Sequence, residues 1–456
     1  MSHTFPTPAR TLDPAILRTV KLRLIPFLVL MFYINFLDRT NVSFAQLSMG
    51  KDLGLGAAAF GLGAGLFFIG YFIFEVPSNL ALHKFGARIW LSRIMVSWGI
   101  VATLTALVQG EASFYIARVL LGIAEAGFFP GVILYLTYWF PRAQRARVLA
   151  LFYLSIPLAS STGGLLSGWI LNSAPFLKNW QFLYIAEGLP AIIVGVIAFF
   201  VLTDRPSKAR WLTPVQRAEL TEYIEAEDAA QPSPRTVSAT FRSPRVLVLA
   251  VCYAGLNFGI YGVTFFLPQV IKAFNPGGST TVTGLINAIP FAITGVAMLF
   301  LNRSSDRTGK PVRHIVIPLI VGALALAIVG TVSPSPVWLM AAVTLALFGV
   351  IATLPSFWKF TTATLAGVGA AAAVGMINAV GNLGSFAGPY AIGLLFGSTG
   401  SYDLGWVIIG VVMLLAAGGI GVVAVLMRTG RPESEAVPAV LAQSPAFGST
   451  STHDDA

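Results

Sequence analysis

The chain lacks most of what a soluble enzyme uses. It has one cysteine, Cys252, so no intramolecular disulfide can form and no Cys/His metal spacing exists. Its four histidines, His3, His83, His314 and His453, fall in tails or at the ends of apolar runs. No GxxxxGK(S/T) loop is present, which removes the usual ATP cradle as an energy source. No nucleophile–base or metal cluster is visible, so neither enzymatic activity nor a cofactor is expected. Charged residues make up only 11% of the chain, against about 25% in soluble domains.

Apolar sequence is what the chain has in excess. Hydrophobic residues make up 56%, and runs of roughly 20 recur along nearly the whole length, each long enough to cross a bilayer as a helix. The pattern predicts an all-α membrane protein with twelve spans. They fall at about 22–47, 58–82, 89–109, 112–136, 147–171, 182–202, 245–272, 281–301, 313–332, 336–360, 371–396 and 405–427. The first run is too long for a signal-peptide core and lacks a small-residue cleavage site, so it counts as the first span.

A formal net charge of +10 could suggest nucleic acid, but the distribution of charge argues against it. Of the 29 Lys and Arg, three lie in spans (Arg39, Arg118, Lys359) and three in loops on one side (Lys51, Lys178, Lys272), leaving 23 in the tails and alternate loops. This positive-inside pattern predicts a multi-pass protein of the cell (inner or plasma) membrane with both termini cytoplasmic. The lipid bilayer, not nucleic acid, is the expected large-scale partner.

The chain divides into residues 1–202, a polar linker at 203–244, residues 245–428, and a tail at 429–456 expected to be disordered. Inside the linker, "WLTPVQRAELTEYIEAED" predicts a short helix, with Thr213 as cap, Pro214 at the first position and Gln216 completing a capping box. The turns "LHKFGAR" (82–88) and "SSDRTGK" (304–310) echo each other, with Gly86 and Gly309 separated by 223 positions. Two six-span halves repeated about an axis along the membrane normal would leave a cavity between them.

Charges inside the membrane cost about 2.5–3.5 kcal/mol each on insertion scales, so they normally face a cavity and have partners. "FLDRTNVSF" sets Asn35, Asp38 and Asn41 on one stripe of the first span, with Arg39 about 100° to the side. In "FYIARVLLGIAEAGFF", Arg118 and Glu125 are seven apart, nearly two turns, and share a face. They are too far apart to bond each other. Asp38–Arg118 and Arg39–Glu125 pairings are both open at this point. With both carboxylates ionised, the four groups sum to zero. With both protonated they sum to +2, so proton binding would unmask cations for an anion.

Several strings together resemble the major facilitator superfamily and, within it, the anion:cation symporter family. They are "NFLDRTNVSFA", "GYFIFEVPSNL", "RVLLGIAEAGFFPGVILYLTYWFP", "LNFGIYGVTFFLPQVI", "GLINAIPF" and "NAVGNLGSFAGPY". They spread over about residues 20–430. The resemblance implies the major facilitator fold and proton-coupled uptake of a small organic anion, such as tartrate, a sugar acid or an aromatic carboxylate, by a monomer. It implies that Asp38 and Glu125 couple protons, and that Arg39, Arg118 and Tyr71 meet substrate. Asp306, Arg307, Gly309 and Lys310 match the gating-loop signature of the superfamily. The turn after span two departs from it, with His83 at the acidic position.

Weaker candidates complete the set. Asn257 and Tyr261, and likewise Asn378 and Asn382, are i, i+4 pairs that could meet substrate or bond between helices. Glu75 and Glu187 lie near span ends, where structural roles are expected. In "PSFWKF", Lys359 follows Trp358, where the relatives usually carry a small or apolar residue. If Trp358 lines the cavity, Lys359 is a third cation near the substrate. If span ten runs straight from Pro336, Lys359 snorkels at the cytoplasmic end.

Overall fold

The structure, a computed structural model, describes residues 12–173, 177–229, 242–332, 335–365 and 370–428. Twelve helices are long and apolar enough to cross a membrane. In chain order, spans one to twelve are Pro14–Leu53, Ala57–Phe85, Ala87–Leu107, Glu111–Trp139, Leu151–Ser173, Asn179–Val201, Pro244–Phe274, Thr280–Thr308, Pro311–Val332, Pro336–Thr364, Ala373–Thr399 and Asp403–Met427. Helices are the expected solution, because lipid offers no hydrogen-bond partners and a helix satisfies its own backbone. Large apolar side chains such as Phe200, Val337 and Leu415 cover the outer surface and are 70–77% exposed. Span one starts earlier than its apolar run because the amphipathic stretch before it is also helical. Asp13 caps that start, accepting from the Ala15 amide at 2.8 Å.

Packing repeats with a shift of six spans. One packs on five and six, as seven packs on eleven and twelve. Two packs on four as eight packs on ten, and three on six as nine on twelve. Two seams join the halves, span two on eleven and span five on eight. Glycines let the backbones close there. A methyl at Gly61 would meet the Pro389 carbonyl, and one at Gly168 the Thr280 carbonyl.

Spans four and ten are both broken. Span four is helical over Glu111–Glu125 and again over Phe128–Trp139, with Gly127 left-handed at φ 82° between them. Span ten is helical over Pro336–Ile351 and Leu354–Thr364. Each break frees a backbone carbonyl inside the bundle, and each is capped from a neighbouring span. Ser78 Oγ donates to the Ala126 carbonyl at 2.6 Å, and Asn302 Nδ2 to the Ala352 carbonyl at 3.1 Å.

The linker helix forms over Pro214–Ala229. Its capping box closes as Gln216 N donates to Thr213 Oγ1 and Thr213 N to Gln216 Oε1. The helix docks beneath the first half, where Asp13 N donates to Glu219 Oε1 at 3.0 Å and Trp211 stacks on Trp139. The rest of the linker up to residue 241, and the expected disordered tail at 429–456, lie outside the described residues.

Candidate functional site

The charged residues of spans one and four meet in the interior of the first half. Arg39 Nη2 donates to Glu125 Oε1 in a salt bridge whose carboxylate is 1% exposed. Arg39 Nη1 also reaches the Tyr261 hydroxyl of the other half at 3.3 Å. Of the two pairings open in the sequence, this is the one formed. Asp38 does not pair with Arg118. Its Oδ2 accepts from the Trp98 indole at 2.8 Å, and its Oδ1 has no partner.

Arg118 is fully buried, and no carboxylate partners it. Nη2 makes one contact, 3.4 Å from the Ala64 carbonyl, while Nε and Nη1 have no partner. The Phe67 ring lies between the two arginines, its centroid 5.2 Å from the Arg39 guanidinium carbon and 5.1 Å from that of Arg118. Arg39 lies against Tyr71 as well, at 5.6 Å. Aromatic faces attract these cations but accept no strong hydrogen bond. The cluster therefore holds unused donors on Arg118 and an unused acceptor on Asp38. Buried polar atoms rarely stay unpaired, so this is where a polar guest would be held.

The second half supplies an uncharged wall. Tyr253, Asn257 and Tyr261 recur every four residues along span seven, and all three are buried. The Tyr261 ring packs on Phe68 with centroids 4.5 Å apart. Trp358 packs edge-on against Tyr253 at 5.1 Å. Asn257 and Trp358 thus share the inward side with Tyr261, although only Tyr261 touches the charged cluster directly.

Other candidate residues lie elsewhere. Lys359 points outward, with its side chain 47% exposed, and bonds Asp306 at 2.6 Å. This is the snorkelling alternative, and Lys359 is not a third cation of the cluster. Trp358 packs inward on Tyr253, while Lys359, about 100° further round the same helix, faces out. Asp306 and Arg307 sit in the last turns of the span-eight helix rather than in a turn, followed by left-handed Gly309 (φ 62°) and then Lys310. Asn382 does not face the arginines. With Asn378 it donates to Glu75, at 3.2 and 2.6 Å. Glu75 therefore lies well inside span two, 3% exposed, rather than near its end. Glu187 is likewise buried and accepts from Ser167 at 2.7 Å.

Three contributors escaped the sequence reading: Trp98 holding Asp38, Phe67 between the arginines, and the Glu75 clamp. A tryptophan or phenylalanine in an apolar span gives no signal of its role. Glu75 did give one, since an intramembrane acid without a local cation needs partners elsewhere, and the i, i+4 asparagines were candidates.

The Major Facilitator Superfamily model matches residues 28–389. The chain belongs to the Major Facilitator Superfamily. A protein of Agrobacterium vitis provisionally named a tartrate transporter is 44% identical over 409 residues, covering 89% of this chain and 90% of that protein. A quinolone resistance transporter of Acinetobacter baumannii is 41% identical over 403 residues, covering 88% and 92%. The solved xylose transporter XylE of E. coli superposes with a TM-score of 0.68 at 15% identity, covering 90% of this chain and 99% of its own, and shows the same fold. This superfamily member is a multi-pass membrane transporter and not an enzyme.

Proposed function

We propose that the protein takes up a small organic anion, a hydroxy-dicarboxylate or sugar acid, together with protons. The observation that carries this is Arg118, a fully buried guanidinium with two unpartnered donors and no carboxylate, beside an Arg39 that is already paired. A carboxylate of the substrate would satisfy Arg118 in a bidentate, charge-assisted contact. Protonation of Glu125 would release Arg39 for a second one. Breaking a buried ion pair by removing one partner's charge costs about 3–5 kcal/mol. Proton and anion therefore bind best together, because the arriving anion replaces the lost partner. Asp38, with one oxygen free beside the stripe, is the second coupling acid. Tyr71, Tyr261, Asn257 and Trp358 form the wall that excludes water and shapes specificity. The Asp306–Lys310 segment and Lys359 lie outside the cavity and act on gating.

The resemblance to a protein named for tartrate supports the substrate class. The test is uptake into proteoliposomes under an imposed pH gradient, with tartrate, sugar acids and aromatic carboxylates as the panel. One class should accumulate, and a protonophore should collapse the accumulation. No anion driven by the gradient would contradict the reading. A second reading, outward movement of an anionic drug, rests on the relative named for quinolone resistance. Quinolone efflux from the same vesicles, with no gradient-driven uptake of any anion on the panel, would favour it.

A further inference from the structure

Glu75 is a carboxyl group that the coupling scheme above does not use. It sits on span two, one helical turn beyond Tyr71 in the direction of the termini, and is 3% exposed. Its partners come from the other half. Asn378 Nδ2 donates to Oε1 at 2.6 Å, and Asn382 Nδ2 to Oε2 at 3.2 Å. The seam between spans two and eleven is closed by glycines toward its far end, at Gly61 against Pro389 and Gly65 against Phe386. The Glu75 clamp continues that seam toward the termini side. To open a crevice there, the clamp must part.

The charged or titratable groups within electrostatic reach are Arg39 on span one, Tyr71 on its own span and Tyr253 on span seven. Arg39 is committed to Glu125. Span four directs Arg118 to Ala64 and Glu125 to Arg39, and span eleven presents only amides here. No cation is therefore dedicated to Glu75. A buried carboxylate held by neutral donors alone is costly, whereas a neutral carboxylic acid is not. Two asparagines suit both states. They donate to both oxygens of the carboxylate, as seen. If the Asn382 amide turns over, it accepts from the acid O–H while Asn378 still donates to the carbonyl.

We propose that Glu75 is a further proton-binding site of this transporter, apart from Glu125 and Asp38, loaded when the span two–eleven seam closes and emptied to water when it opens on the termini side. The proposal rests on the reading of the protein as a proton-coupled carrier. Only an O–H bond changes: the proton comes from water at one face and returns to water at the other. Closure thereby needs a proton at a residue remote from the Arg118 donors, which ties the conformational step, and not only substrate binding, to the proton.

The test is acid titration of the full chain in liposomes, followed by infrared spectroscopy of the carboxylic-acid C=O stretch, with no ligand added. Wild type should show a titrating band that is lost in Glu75→Gln and kept in Glu125→Gln. The Asn378→Ala/Asn382→Ala double variant should shift the frequency of that band, because its hydrogen-bond donors are gone. If Glu75→Gln fails to fold, the double variant carries the test alone. A band unchanged in Glu75→Gln, or unmoved in the double variant, would overturn the proposal. A transport arm separates it from the coupling scheme above. With tartrate as probe, Glu75→Gln should move one proton fewer per anion than wild type. If wild type moves no protons with tartrate yet loses the band on Glu75→Gln, the symport reading fails and the proton site stands.

Discussion

Spans four and ten occupy equivalent places in the two halves and break in the same way. In each, a freed carbonyl is capped by a side chain of the neighbouring span, Ser78 on Ala126 and Asn302 on Ala352. The residue before the first cap site is Glu125, bonded to Arg39. Before the second it is Ile351, fully buried in apolar packing. The break is thus part of the repeated scaffold, and the charge was placed on one copy only. The same asymmetry runs through the molecule. Among the described residues, every buried charged side chain, namely Asp38, Glu75, Arg118, Glu125 and Glu187, lies in the first half. The second half answers with amides and aromatic rings.

The strongest way to break this asymmetry is to remove Arg118. Arg118→Ala should weaken anion binding by on the order of 100-fold, since charge-assisted bonds contribute about 1.5–3 kcal/mol each. Arg118→Lys should restore only part, because an ammonium lacks the bidentate fork. Calorimetry on the purified protein measures both, and unchanged affinity in the alanine variant would remove Arg118 from the site.

A smaller effect separates scaffold from chemistry. Ser78→Ala and Asn302→Ala each leave a buried carbonyl unpaired and should cost about 1–3 kcal/mol. Thermal unfolding in detergent should fall alike for both. Transport should fall disproportionately only in Ser78→Ala, whose break positions Glu125. Equal transport losses would mean that both breaks matter only as scaffold.

The smallest effect is expected at Lys359. Exposed ion pairs contribute about 0–1 kcal/mol. Lys359→Ala should therefore leave tartrate and matched monocarboxylate affinities within about twofold of wild type. A selective loss for the dicarboxylate would return Lys359 to the cavity.

The twelve spans were legible because lipid permits few solutions, and a run of apolar residues in a bilayer has to be helical. The doubled halves were legible from the echoing turns at Gly86 and Gly309. The breaks were not, since "AEAGFFPG" and "GVIATLPS" lie inside apolar runs long enough to cross the bilayer as single helices. Gly127 takes a positive φ in that break, and a Cβ there would also meet Ser78 Oγ of span two. The four charges of spans one and four were visible as intramembrane anomalies, but their pairing was not. Helical spacing fixes which face a side chain takes, and only tertiary packing decides whether Asp38 reaches Arg118 or Arg39 reaches Glu125. Lys359 turned on the same missing information, because where span ten breaks sets which side of its second helix faces inward.

The central claim, that Glu125 exchanges Arg39 for a proton as the anion binds, is tested most directly by Glu125→Gln in proteoliposomes. Two assays are run on the same preparation: accumulation driven by a pH gradient alone, and counterflow of labelled against unlabelled anion. Glutamine mimics the protonated acid, so counterflow should persist while accumulation against a gradient is abolished. A Glu125→Gln protein that still concentrates its anion with pH as the only driving force would contradict the claim and assign the coupling proton to another group.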